Sequence, residues 1–242
     1  MMCAVALTPE QEWTLVACGL IAHADDVLEV GEWDQILRLV DTRLDADESS
    51  TWLDLLTDRA ALEKRFDELS PPPPAFSDEL LHQCWKMALA DGSGSDVEAA
   101  IHDRIAERLG IDGDDAASKR EAWTKAAADR AELVIYFAAA MANVDGQLDS
   151  AEAAQFDSLM ERMPLPPARR VDLAAILYDP PKLEDVGERL RALDLEAREA
   201  VLYDIVPLVK ASARGDRERE AYLELADLAA VPRAQAEKLL DA

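Results

Sequence analysis

Residues 142–152 read ANVDGQLDSAE: a small-residue helix end, an acidic turn, then the start of another helix. Gly146 after Asp145 admits the left-handed backbone that closes a helix. Asp149 with Glu152 three residues on has the pattern of a capping box, in which the cap oxygen and the Glu carboxylate satisfy the next helix's free N–H groups. The stretch therefore reads as a capped corner between two helices. Apolar residues recur at helical spacing on both sides of it and almost throughout the chain. In AAIHDRIAERL, residues 99–109, Ile101, Ile105 and Leu109 form one stripe while Asp103, Glu107 and Arg108 lie elsewhere. No alternating run reads as a strand, and only 9 glycines interrupt an Ala- and Leu-rich chain. The expected class is all-α.

Helices are predicted at roughly 9–24, 30–44, 50–69, 77–90, 96–109, 116–142, 150–163, 167–178, 182–193, 195–213, 217–229 and 233–241. Pro207 falls inside one of them and should kink or split it. SPPPPAF at 70–76 cannot be helical and reads as a short polyproline strut. PLPP at 164–167 and DPP at 179–181 stop one helix and start another, with Pro167 and Pro181 suited to a first turn.

The corner is written four times: LIAHADDVLEVGEW (20–33), MALADGSGSDVEAA (87–100), AMANVDGQLDSAEA (140–153) and VKASARGDREREAY (209–222). Set under one another, Asp25 and Asp145 stand 120 residues apart, and Asp91 and Arg214 stand 123 apart. Near-constant spacing predicts a tandem duplication of a two-corner helical bundle, with domains at 1–113 and 114–242.

Composition narrows the partners. Acids outnumber bases 50 to 25, a formal charge of −25, which repels phosphate backbones and anionic lipid. No nucleic-acid binding is expected, and cations or basic proteins are the natural partners. Cys3, Cys18 and Cys84 stand singly, as in a reducing compartment. The apolar stretch at 13–24 is too short to span a bilayer and follows Glu10 and Glu12, so no membrane insertion is expected and the cytoplasm is the default. Trp13, Trp33, Trp52, Trp85 and Trp123 are expected to pack the core of the first half.

Three corners pair an Asp with a Glu seven positions later: Asp25/Glu32, Asp91/Glu98 and Asp145/Glu152. An Asp in a last helical turn opposes the helix dipole by about 0.3–1 kcal/mol, so a cation or the N–H groups of the turn should compensate it. An EF-hand is a poor fit, because Met141 stands where its first acid is required. A cation held between corners stays open: Asp25, Glu32, Asp91 and Glu98 could converge as oxygen ligands for Ca²⁺, Mg²⁺ or Mn²⁺. His23 and His102 could add nitrogen and shift the preference toward Zn²⁺ or Mn²⁺. Glu98 and Glu152 are equally readable as helix caps. In the fourth corner Arg214 replaces the Asp, with Asp216 or Glu220 as approximate substitutes, so the second half is expected to be the weaker site.

ALADGSGSDVE (88–98), IAERLGID (105–112), MANVDGQLDSAE (141–152) and the closing ELADLAAVPRAQAEKLL (224–240) resemble the tellurite-resistance TerB family and the related N-terminal region of DjlA-type co-chaperones. The resemblance covers the chain as two copies. It implies an all-helical bundle with an acidic metal-binding patch, at work in a cytoplasmic stress response as an interaction module without catalytic activity. The motif acids it carries over are Asp25, Glu32, Asp91, Glu98, Asp145 and Glu152. Two positions depart from the pattern: Asp26 where the first corner should have Gly, and Arg214 where the fourth should have Asp.

Catalytic signatures are absent from the sequence: there is no GxSxG, no phosphate-binding glycine loop, and Glu79-x-x-His82 lacks the second copy that a di-iron site needs. The expectation is a non-enzymatic TerB-like protein that binds divalent cations at its corners and engages a protein partner. The alternative is a metal-free adaptor that recruits basic partners through its acidic surface.

Overall fold

The computed structural model describes residues 7–25, 30–43, 46–90, 92, 94–143, 150–211 and 215–241. Every regular element among them is helical, with no strand. In chain order these are α1 (Pro9–Ala22), α2 (Val30–Arg43), α3 (Ala46–Leu56), α4 (Arg59–Glu68), α5 (Ser77–Ala88), α6 (Asp96–Leu109), α7 (Gly113–Ala142), α8 (Ser150–Glu161), α9 (Pro167–Ala174), α10 (Leu183–Arg191), α11 (Leu195–Asp204), α12 (Val206–Ala211), α13 (Gly215–Leu228) and α14 (Arg233–Asp241), with single 3-10 turns at Pro74–Phe76 and Ala175–Leu177. None is long and apolar enough to cross a membrane.

The chain divides into two compact units, Met1–Lys125 and Ala126–Ala242. The division lies inside α7, beyond the expected 113/114 boundary, because side chains of the first turns of α7 are built into the first unit. Trp85 Nε1 donates to Thr124 Oγ1 at 2.8 Å, Trp123 stacks on His82 with ring centroids 4.5 Å apart, and Arg120 pairs with Asp103.

In the first unit α1 is the central helix. Residues Trp13 through Ala22 are all buried, and α1 packs chiefly on α5 and α4, then on α2 and α6. A helix apolar on every face has nowhere to go but the middle of a bundle. Thr8 starts it with a complete capping box to Gln11. Trp13 meets Phe66 edge to face at 5.3 Å and donates its indole N–H to the Ser70 carbonyl at 2.6 Å, which ties the proline strut to the core. Trp13 and Trp85 are buried as expected, whereas Trp33, Trp52 and Trp123 are half-buried.

The second unit repeats the logic. The C-terminal half of α7 buries Val134, Ile135 and Phe137 through Ala142. Around that core α13 packs on α10, α12 and α14, while α12 packs on α8 as well. The helix expected over 195–213 is split at Ile205, with Pro207 in the first turn of α12 where its missing N–H costs nothing. The helix expected over 50–69 is also split, because the Asp58 carboxylate accepts from the N–H groups of Ala60 and Ala61 and starts α4 afresh.

Candidate functional site

Each corner joins a helix end to a helix start, and between α5 and α6 the joint turns on Gly94 and Ser95. Gly94 holds φ +74 with no room for a side chain: a Cβ there would lie 2.7 Å from the Trp85 ring. Ser95 then caps α6. Its N–H donates to Glu98 Oε2 at 2.6 Å, and the Glu98 N–H donates back to Ser95 Oγ at 3.2 Å, closing the capping box. Glu98 is nonetheless 6% exposed, deeper than a surface cap requires.

The same depth recurs at the other corners. Among the described residues the buried acidic side chains are Glu32, Glu98, Glu152 and Glu218. Each lies in the first turn of the helix that follows a corner: α2, α6, α8 and α13. Glu32 and Glu98 are 66 residues apart, as are Glu152 and Glu218, and each member of the first pair is 120 residues from its counterpart in the second. Acidic side chains are among the least often buried of all, because losing hydration costs several kcal/mol unless something replaces it.

Glu218 corrects the register expected for the fourth corner. Pairing Arg214-Gly215 with Asp91-Gly92 slides the alignment by three residues and points to Asp216 or Glu220. Glu220 is exposed, and the buried acid is Glu218. The spacing of 66 from Glu152 and 120 from Glu98 is the signal that finds it. A short Gly-containing match hides that signal.

The other nominated residues fall out unevenly. Asp25 is exposed, and Asp25, Glu32, Glu98 and Glu152 each make polar interactions of their own. Asp91 and Asp145 lie outside the described residues, as does Arg214. No three His, Cys, Asp or Glu side chains come together as a metal-holding group among the described residues.

Both histidines considered as nitrogen ligands have structural employment instead. His23 Nε2 lies 2.8 Å from the Leu56 carbonyl. His102 is fully buried in the first unit, with Nε2 donating to the Leu81 carbonyl at 3.1 Å and Nδ1 accepting from Arg120 at 3.0 Å. Burial, and then the Arg120 charge, push its pKa down to about 4 against the opposing carbonyl bond, so the ring is neutral at pH 7. Asn143 donates both to the Ala139 carbonyl at 3.0 Å and to the Leu177 carbonyl at 2.8 Å. Glu79 accepts from Gln83 at 2.6 Å, and His82 stacks on Trp123 with ring centroids 4.5 Å apart.

No family model, curated protein or solved structure matches the chain. What the residues themselves offer is four buried carboxylates, each near the start of a helix that follows a corner, in a strongly acidic protein. Such donors suit Ca²⁺, Mg²⁺ or Mn²⁺ better than a soft metal.

Proposed function

We propose that the chain is a tandem duplication of a TerB-like helical bundle that binds divalent cations at its helix corners and serves as a non-enzymatic interaction module in a cytoplasmic, tellurite-type stress response. The observation that carries this reading is the set Glu32, Glu98, Glu152 and Glu218: one buried carboxylate after each corner, at spacings of 66 and 120 residues. Helix packing does not require buried acids, and apolar residues of similar volume would pack as well. Their recurrence at equivalent positions favours a shared role in holding positive charge. The backbone supports the duplication independently, since Gly110 and Ala230, also 120 residues apart, both end a helix with positive φ. The cation is of the Ca²⁺, Mg²⁺, Mn²⁺ or Zn²⁺ class, with oxygen chemistry favouring the first three.

Calorimetry with Ca²⁺, Mn²⁺ and Zn²⁺ on wild type and on Asp91→Asn/Glu98→Gln tests it. Binding heat in the wild type that weakens at least tenfold in the variant is the expected result. Absence of heat for every ion, with an unchanged melting point, removes the cation from the function.

A metal-free adaptor is the second reading, and the closed Ser95/Glu98 capping box favours it. On that reading Glu98→Ala costs about 1 kcal/mol, as a lost cap does, by the same amount with or without added cation. A cost that grows when Ca²⁺ or Mn²⁺ is present argues against it.

A further inference from the structure

The proline segment between α4 and α5 plays no part in the corners, yet its geometry is closely fixed. Leu69 holds φ −67 ψ 133 and Pro73 holds φ −55 ψ 136, both of polyproline type. Residues 70–72 each precede a proline, which keeps their backbone extended as well. A polyproline helix has three residues per turn, so residues three apart share one edge of a three-sided rod. Leu69 and Pro72 share an edge, and both are buried. The other two edges, Ser70 with Pro73 and Pro71 with Pro74, are exposed. Trp13 and Arg108 hold the rod in place by donating to the Ser70 and Leu69 carbonyls. Phe76, in the 3-10 turn that follows, is 45% exposed.

We propose that this rod docks a partner domain that reads polyproline ligands in an aromatic-lined groove with a basic rim. The proposal rests on the interaction-module reading above, names its partner class, and needs no cation. Pro71 and Pro74 have the PxxP spacing that such grooves recognise. A groove can receive two edges of a three-sided rod while the third faces away, and here the third edge is the buried one. Because the rod is already anchored, docking loses little backbone freedom. Charge selects the rim. Residues 66–80 hold four exposed acids, Asp67, Glu68, Asp78 and Glu79, and no Lys, Arg or His. Arg108, Arg65 and Lys119 approach the first three, but Arg65 is shared with Glu12 and Lys119 with Asp115. The surround stays net acidic, which attracts a basic rim and repels an acidic one.

The test titrates the full chain in EDTA, by calorimetry at low and high salt, with two purified probes. One is an EVH1 domain whose groove has a basic rim, the other an SH3 domain whose groove has an acidic rim. The EVH1 domain should bind, and the SH3 domain should bind about tenfold more weakly or not at all. Pro71→Ala/Pro74→Ala should weaken EVH1 binding about tenfold. Glu68→Gln/Glu79→Gln should weaken it about threefold and flatten its salt dependence. Tyr178→Ser, which removes an exposed aromatic residue of the second unit, should change nothing. Melting points report folding, and the charge variant carries the test if the proline variant unfolds. Binding of neither probe, or equal binding by wild type and both rod variants, overturns the docking site and leaves the cation calorimetry above unaffected. Tighter binding of the SH3 domain overturns the basic rim.

Discussion

Gly110 and Ala230 adopt the same left-handed turn, φ 75° and 55°, just past the ends of α6 and α13. In both turns the residue itself donates to the carbonyl three before it, and the next residue donates to the carbonyl five before it: Ile111 to Ala106 at 2.9 Å and Val231 to Ala226 at 2.8 Å. This is the closing pattern of a helix that ends in a left-handed residue. Glycine adopts it freely, whereas an L side chain is strained there by about 1–2 kcal/mol.

Ala230→Gly should therefore stabilise the second unit by about 0.5–1 kcal/mol, and Gly110→Ala should destabilise the first by a similar amount. Urea denaturation of both variants checks the sign. Equal shifts in the same direction contradict the strain argument.

Arg108 holds the end of α4. Its guanidinium donates to the Phe66 and Leu69 carbonyls and lies 4.8 Å from the centroid of the Phe66 ring and 5.6 Å from that of Trp13. A lysine cannot reproduce the fork, so Arg108→Lys should cost about 1–2 kcal/mol and Arg108→Ala about 2–3 kcal/mol. Denaturation followed by Trp fluorescence reads the loss directly. A near-neutral Arg108→Lys would show that charge alone matters.

At the α10–α13 crossing there is no space to spare. A Cβ on Gly187 would sit 2.6 Å from the Leu228 Cβ, which belongs to the fixed part of its side chain. Gly187→Ala should cost about 1–3 kcal/mol through displacement of the helices, despite the better helix propensity of alanine. A melting point at or above that of the wild type means that the crossing relaxes easily.

His102 makes stability depend on pH in a defined window. Its folded pKa, about 4, lies below the unfolded value of 6.5, so the unfolded chain binds the extra proton first. The contribution is complete above pH 6.5 and declines as pH falls toward 4. A tenfold difference in proton affinity is worth about 1.4 kcal/mol, which limits the whole effect to about 3 kcal/mol. Carboxylates also titrate near the lower limit, so the measurement is a difference. The wild type should lose more stability than His102→Gln between about pH 6.5 and 4.5, and parallel profiles would refute the assignment.

Much of the architecture is legible in the sequence because helix signals are local. The stripe Ile101, Ile105, Leu109 faces the core, Pro207 breaks its helix, and Ser95 and Glu98 cap α6 as their spacing implies. The break at Asp58 escapes notice because a side-chain cap inside an apolar pattern leaves little trace in the periodicity. The start of α7 falls to the first unit for another reason: Arg120, Trp123 and Thr124 are bound to residues 17 to 41 positions earlier, beyond any local window.

The candidate site is legible only in part. Sequence spacing locates the corners and three of the four glutamates buried among the described residues, while the fourth is lost to a three-residue slip around Arg214-Gly215. His23 and His102 look available as ligands in the sequence, yet each is bound to a backbone carbonyl from a different helix.

Composition, periodicity and capping residues are thus enough for an acidic, all-helical chain with repeated corners, since each is a property of neighbouring residues and of their shared solvent preference. Which carboxylates lie in the interior is decided by tertiary packing alone. Burial is created by chain segments distant in sequence, and Glu218 and Glu220 differ in nothing but the face of α13 on which they fall.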